Sequence, residues 1–244
     1  TRGGRRKIVG KADRIDSFGN KMNIVDYKTG AVTGHCDEDL YVGKKLQLYV
    51  YAKAFSDRFE PVGAYYFPVA DEFGDDEEAV IAMKGKTLAD LATASEIDDS
   101  ITEENRKGRF ISANLTERKT GGGFRYDAGL LTREEFDAYL DYAVKVAGEG
   151  ISEINEGVIV PSPDDKACEY CEYHGLCGYD AAIDGRTRTV NEKIDKTTIV
   201  AAVSENAESE EVEENGDGSG HGAYTENGKV ENGKDEKSKD GGEE

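Results

Sequence analysis

Hydrophobic and polar positions alternate near the N-terminus and switch to helical spacing further along. Ile8-Val9 and Ile15 supply the apolar positions of a first strand, and Ser17-Phe18-Gly19-Asn20 supplies a turn with residues suited to positive φ. Met22 to Val25 lead into a second strand that ends in Asp26-Tyr27-Lys28. After a polar loop to about residue 41, Leu46, Tyr49, Val50, Phe55 and Phe59 recur at three to four residues, which predicts a helix from Val42 to Phe59. Residues 60–69, EPVGAYYFPV, read as a strand rich in aromatics, with Pro61 and Pro68 at its ends. An acidic loop over 71–78 follows, then a short strand from Ala79 to Met83, then a ragged helix over Thr87–Ala94 and Glu96–Asp99. Residues 100–129 carry no readable period, and Gly121-Gly122-Gly123 marks a loop. Thr132 is an N-cap before Glu134 and Glu135; the helix it starts runs to about Asn155, with Phe136, Leu140, Ala143, Val144 and Ala147 as its apolar stripe. Strands interleaved with helices predict an α/β fold.

Composition narrows the picture. The 244 residues suffice for one domain with a sizeable core plus extras, and a chain that starts at Thr1 is expected to be part of something longer. No apolar run has the length of a membrane span and no secretory signal is visible, so no membrane partner is expected. Four unevenly placed cysteines do not make a disulfide framework and point to a reducing, intracellular setting. Beyond residue 184 the chain is rich in Glu, Gly, Asn and Lys and poor in aromatics, so 1–184 is expected to be the folded domain and 185–244 a disordered acidic tail. With 16 acidic and 8 basic residues that tail carries −8 of the net −20, leaving −12 on residues 1–184. Such charge argues against a free-standing, tight nucleic-acid binder. It leaves local cations for phosphate contacts: Arg2, Arg5, Arg6, Lys7, Lys44 and Lys45.

The candidate chemistry lies at the end of the second strand. Asp26 and Lys28 share one face of it with Met22 and Ile24, while Tyr27 takes the other. A carboxylate and an ammonium placed so can hold a hard divalent cation such as Mg²⁺ and a water beside it, with Asp13 on the neighbouring strand as second carboxylate. Asp16 competes with Asp13 but has the opposite strand parity. Gln47 and Tyr51 lie one helical turn apart. Taken singly, these pieces match a solvated strand face and an ordinary helix pair. Gly85-Lys86-Thr87 has the end of a phosphate-binding loop, but Val80 stands where that motif needs glycine, so an ATP site is rejected.

A second cluster follows Pro161-x-Pro163. Cys168-x-x-Cys171-x5-Cys177 has spacing suited to a metal or an iron–sulfur cluster. His174 falls between the last two cysteines and makes a Cys₃His zinc site chemically possible; Cys36 is another conceivable fourth ligand. Unmetallated structural thiols are the plain alternative. His35 and His221 have no partner spacing.

Gly10-Lys11-Ala12-Asp13, Val25-Asp26-Tyr27-Lys28 and Gln47-Leu48-Tyr49-Val50-Tyr51, in that order, resemble the PD-(D/E)XK nuclease superfamily in its RecB-like branch. With Met83-Lys84-Gly85 and the cysteine run, the likeness extends over about residues 5–180 to the nuclease domain of a bacterial helicase–nuclease complex. The resemblance implies a restriction-endonuclease-like mixed sheet flanked by helices, with a C-terminal cysteine-rich lobe. It implies Mg²⁺-dependent hydrolysis of DNA in double-strand-break repair, in the bacterial cytoplasm, with a partner helicase–nuclease subunit. Asp13, Asp26 and the Tyr27 carbonyl would hold the metal, Lys28 would orient the water, and Gln47 and Tyr51 would position the site or the strand. Cys168, Cys171 and Cys177 would bind a [4Fe–4S] cluster, with Zn²⁺ as the alternative. In the family a fourth cysteine and a further catalytic acid or histidine lie upstream of the motifs matched here; no cysteine precedes Asp13 in this chain. A non-catalytic DNA-binding or scaffolding module, or a zinc-bound interaction domain, are the competing readings.

Overall fold

The structure is a computed structural model that describes residues 7–30, 32, 37–69, 82–126, 128–164, 167–184 and 193–204. Arg2, Arg5, Arg6, His35, Cys36, the acidic loop over 71–78 and His221 lie outside these residues.

The first strand β1 (Arg14–Phe18) turns through Gly19-Asn20 into β2 (Lys21–Lys28), and Gly19 takes the left-handed φ of 59° that this two-residue turn needs. Phe18 is therefore a strand residue, and Ile8 and Val9, expected in the first strand, lie outside it and exposed. Two short crossover helices follow, α1 (Asp37–Tyr41) and α2 (Gln47–Phe55). The predicted helix thus starts five residues later than its periodicity suggested, because a turn held by the Asp39 carbonyl, which accepts from the N–H groups of Lys44 and Lys45, occupies its start. The chain returns as β3 (Glu60–Pro68), parallel to β2. Antiparallel β4 (Lys84–Leu88) and the two-residue β5 (Leu130–Leu131) complete a mixed sheet of order β1-β2-β3-β4-β5. The sheet takes Lys84–Leu88 where a helix was expected to begin at Thr87, and α3 (Leu91–Ile97) starts only after Asp90, whose carboxylate caps it by accepting from the Thr93 N–H.

Buried side chains divide by strand parity. Met22, Ile24 and Ala64 pack beneath α2 and the long helix α4 (Arg133–Glu156), whose first turn carries the Thr132–Glu135 capping box. Val25 and Tyr65 pack on the other face against α3 and the loop over 101–115. On α4 the buried stripe is Phe136, Tyr139, Leu140, Tyr142 and Ala143; Val144, expected within it, is exposed. Tyr139 packs edge-on to Tyr49, and the Tyr142 hydroxyl donates to the Tyr41 carbonyl. Lys86 is also buried: it pairs with Asp37 at 2.6 Å, donates to the Ala128 carbonyl and lies over the Tyr139 ring, while burial lowers its pKa. That pairing pins α1 to the sheet.

The expected disordered tail is corrected for part of its length. Residues 196–204 are helical, and Ile199 is fully buried in the cluster beneath α4, with Ile194, Ala202 and Val203 around it. Lys196 pairs with Glu135, and Lys145 donates to the Ala202 carbonyl. One apolar stretch within a polar tail was enough to dock. Residues 185–192 and 205–244 lie outside the described residues. Among those described, no helix is long and apolar enough to cross a membrane.

Candidate active site

The register of the sheet decides which acids meet. Arg14 faces Val25, Ile15 faces Ile24 and Asp16 faces Asn23 across the β1–β2 pair. Directly paired residues share a face, so Asp16 lies on the α3 side, opposite the side that holds Asp26. Its carboxylate accepts from Arg14 Nε at 2.8 Å. Asp13 precedes β1 by one residue, and continuing the register sets it across from Asp26. Asp13 Oδ2 accepts the Tyr27 N–H at 3.1 Å, which ties the start of β1 to the end of β2 beside Asp26.

Asp26 is 5% exposed and ion-paired with Lys28. Asp26, Tyr66 and Lys84 stand in one row across β2, β3 and β4. The Lys28 ammonium lies 5.3 Å from the centre of the Tyr66 ring, and that of Lys45 lies 5.9 Å from it. Burial, with the nearby charges of Asp26 and Asp39, pushes the Tyr66 phenol up to about 12, so it stays protonated at neutral pH. Lys84 donates to the Val32 carbonyl at 3.0 Å and holds the loop after β2. Between these groups opens a cleft of about 210 Å³ lined by Lys28, Gly30, Val32, Lys44, Lys45, Gln47 and Tyr66.

Gln47 reaches this cleft from the first turn of α2. Tyr51, one turn on, does not line it. Its hydroxyl accepts the Lys11 N–H at 3.1 Å, and its ring packs on Gly10. Tyr51 thus braces the segment that delivers Asp13.

Hard oxygen donors from Asp13, Asp26 and the Tyr27 carbonyl suit a Mg²⁺ ion, since the two carboxylates belong to one sheet face on neighbouring strands. The cysteines behave otherwise. Cys168, Cys171 and Cys177 are free thiols on exposed turns and the short helix α5 (His174–Cys177), ahead of α6 (Ala181–Asp184). They do not converge as expected: among the described residues no group of three or more His, Cys, Asp or Glu side chains could hold a metal ion. This segment buries almost no apolar surface, so packing alone does not draw the thiols together.

Tyr66 and Lys84 escaped sequence reasoning. Alternation along EPVGAYYFPV does not tell which of two adjacent tyrosines faces the acids, and a lysine in a short strand carries no motif. The signal that could have found them is the register itself.

This chain belongs to the PD-(D/E)XK nuclease superfamily, whose family model matches residues 2–178. Within it, the chain is similar to proteins named as one of the subunits of an ATP-dependent helicase/deoxyribonuclease, the AddB type. It is 26% identical to the Clostridium kluyveri protein over 218 residues, which is 78% of this chain and 18% of the relative. With the Clostridioides difficile protein it shares 28% identity over 221 residues, 79% of this chain and 19% of the relative. The chain spans about a fifth of the length of the curated relatives it matches.

Proposed function

We propose that this domain hydrolyses DNA phosphodiesters with Mg²⁺, as the nuclease module of an AddB-like protein that works with an AddA-like helicase–nuclease partner in double-strand-break repair. The observation that carries this reading is the placement of Asp13, Asp26 and Lys28 at the mouth of one cationic cleft, on one face of the sheet. Asp13, Asp26 and the Tyr27 carbonyl would hold the ion. When bound, Mg²⁺ polarises the phosphate and lowers the pKa of a coordinated water. Lys28 orients the attacking water and offsets charge that develops on the phosphate oxygens. Tyr66 keeps the Lys28 and Lys45 ammoniums beside its ring, and Gln47 contacts the strand in the cleft. Tyr51 keeps Asp13 in place.

The cysteine spacing supports a [4Fe–4S] cluster, or Zn²⁺ with His174, completed by a ligand from outside the described residues. No step of the hydrolysis runs through that group.

The test is cleavage of end-labelled DNA by the full-length protein with its partner. Asp26→Ala and Lys28→Ala should abolish the Mg²⁺-dependent cut on the strand assigned to this protein while thermal unfolding stays near wild type. Wild-type cleavage by the Lys28→Ala protein would overturn the reading.

A further inference from the structure

Lys44 and Lys45 line the cleft from the turn between α1 and α2, and each is held by a carboxylate from another segment. Lys45 pairs with Asp39 of α1 at 2.6 Å, and Lys44 pairs with Asp164 at 2.5 Å. Asp164 lies at the threshold of the cysteine lobe, where its carbonyl accepts the Ala167 N–H and starts the first turn. In both pairs, as in Lys28–Asp26, the acid is the more buried partner; Asp164 is 19% exposed against 43% for Lys44. The cleft therefore presents ammoniums at its surface with carboxylates behind them. An ammonium has three N–H donors, so one given to the acid leaves two for an incoming anion. The hydrogen bond to Asp164 also raises the pKa of Lys44 and keeps it charged.

We propose that Asp164 is a positioning residue for substrate: it fixes Lys44 as the contact for a backbone phosphate of a DNA strand, next to the phosphate at Asp26 and Lys28. This rests on the nuclease reading above. It makes the cysteine lobe a structural part of the cleft, since the segment that opens the lobe carries the acid that orients a substrate contact. The sign of its effect is diagnostic. In a chain of net charge −20, an acid that merely repelled DNA would strengthen binding when neutralised. A positioning acid weakens binding when neutralised, because Lys44 loses its fixed geometry and recovers rotamer freedom.

The experiment is equilibrium binding of a fluorescein-labelled single-stranded oligodeoxynucleotide to the full-length protein in EDTA, where no strand is cut. Asp164→Asn is expected to raise Kd roughly threefold to tenfold, and Lys44→Met to do the same while lowering the salt slope by about one. Asp164→Glu should keep most of the affinity, and Asp164→Asn should add nothing in the Lys44→Met background. With Mg²⁺ restored, Asp164→Asn should raise KM and leave kcat nearly unchanged. Unchanged or tighter binding by Asp164→Asn, or additive effects in the double variant, would overturn the proposal. Thermal unfolding of each variant separates a misfolded protein from a mispositioned lysine. If wild type neither binds nor cuts DNA, the nuclease reading itself fails; if wild type does both and Asp164→Asn matches it, only the role of Asp164 fails.

Discussion

Gly10 lies so close against the ring of Tyr51 that a Cβ at residue 10 would clash with the phenol oxygen. The contact is between the segment before β1 and the helix after the active-site strand, about forty residues away in sequence. Glycine here serves a close approach rather than a turn. Gly10→Ala should therefore push the Asp13 segment off Tyr51, costing about 1–3 kcal/mol of stability by overpacking. Tyr51→Phe removes only the hydrogen bond from Lys11 N–H, about 0.5–1.5 kcal/mol. Cleavage should fall further with Gly10→Ala than with Tyr51→Phe, because only the former displaces Asp13. Urea titrations and cleavage rates on the two variants check the order.

The two N-terminal aspartates should behave differently. Asp13→Asn should abolish Mg²⁺-dependent cleavage, since it removes a charged oxygen ligand from the Asp26 face. Asp16→Asn loses only an exposed pair with Arg14 on the opposite face and should cleave within about twofold of wild type. A rate loss with Asp16→Asn as large as that with Asp13→Asn would reverse the assignment of the metal face.

Asp98 should make the fold acid-sensitive. Burial pushes its carboxyl up, but hydrogen bonds from the Ser100 hydroxyl and the backbone N–H groups of Phe110, Ile111 and Ser100 outweigh this and hold it below the usual 3.8. A carboxylate with a depressed folded-state pKa contributes stability that is fully present above its unfolded value and is lost as pH falls through the folded one. Stability measured by urea unfolding should thus decline as pH drops below 3.8. Asp98→Asn should flatten that decline, and Asp98→Ala, which strands buried donors, should cost about 2–3 kcal/mol at neutral pH.

Ile199 should report on the docked part of the C-terminal segment. It is fully buried beneath α4, so Ile199→Ala should cost about 2–5 kcal/mol. A cost near zero by thermal or urea unfolding would mean that 193–204 contributes nothing to the core.

The cysteines are tested by metal content. Full-length protein purified without oxygen should carry iron and sulfide with brown absorbance, and His174→Ala should leave both unchanged. Stoichiometric zinc that disappears in His174→Ala, with iron never present, would favour the Cys₃His site instead.

What the sequence determined by itself is local. The Gly19-Asn20 turn, the Thr132 cap and the parity of Asp26 and Lys28 on β2 follow from φ preferences, capping chemistry and the two-residue period of a strand. The order of the three motifs was enough for the family, which the match over residues 2–178 bears out. Parity also separates Asp13 from Asp16, but the strand pairing is what turns that difference into opposite faces. The rest required tertiary structure. Thr87 and Leu88 went into a strand because β3 offered an edge to pair with, a choice that helix propensity does not see. Ile199 docked because α4 left an apolar site for it, although the composition around it is that of a solvated tail. Tyr66, Lys84 and Asp164 joined the cleft through a register and an ion pair between segments distant in sequence, and no local pattern of residues encodes such meetings.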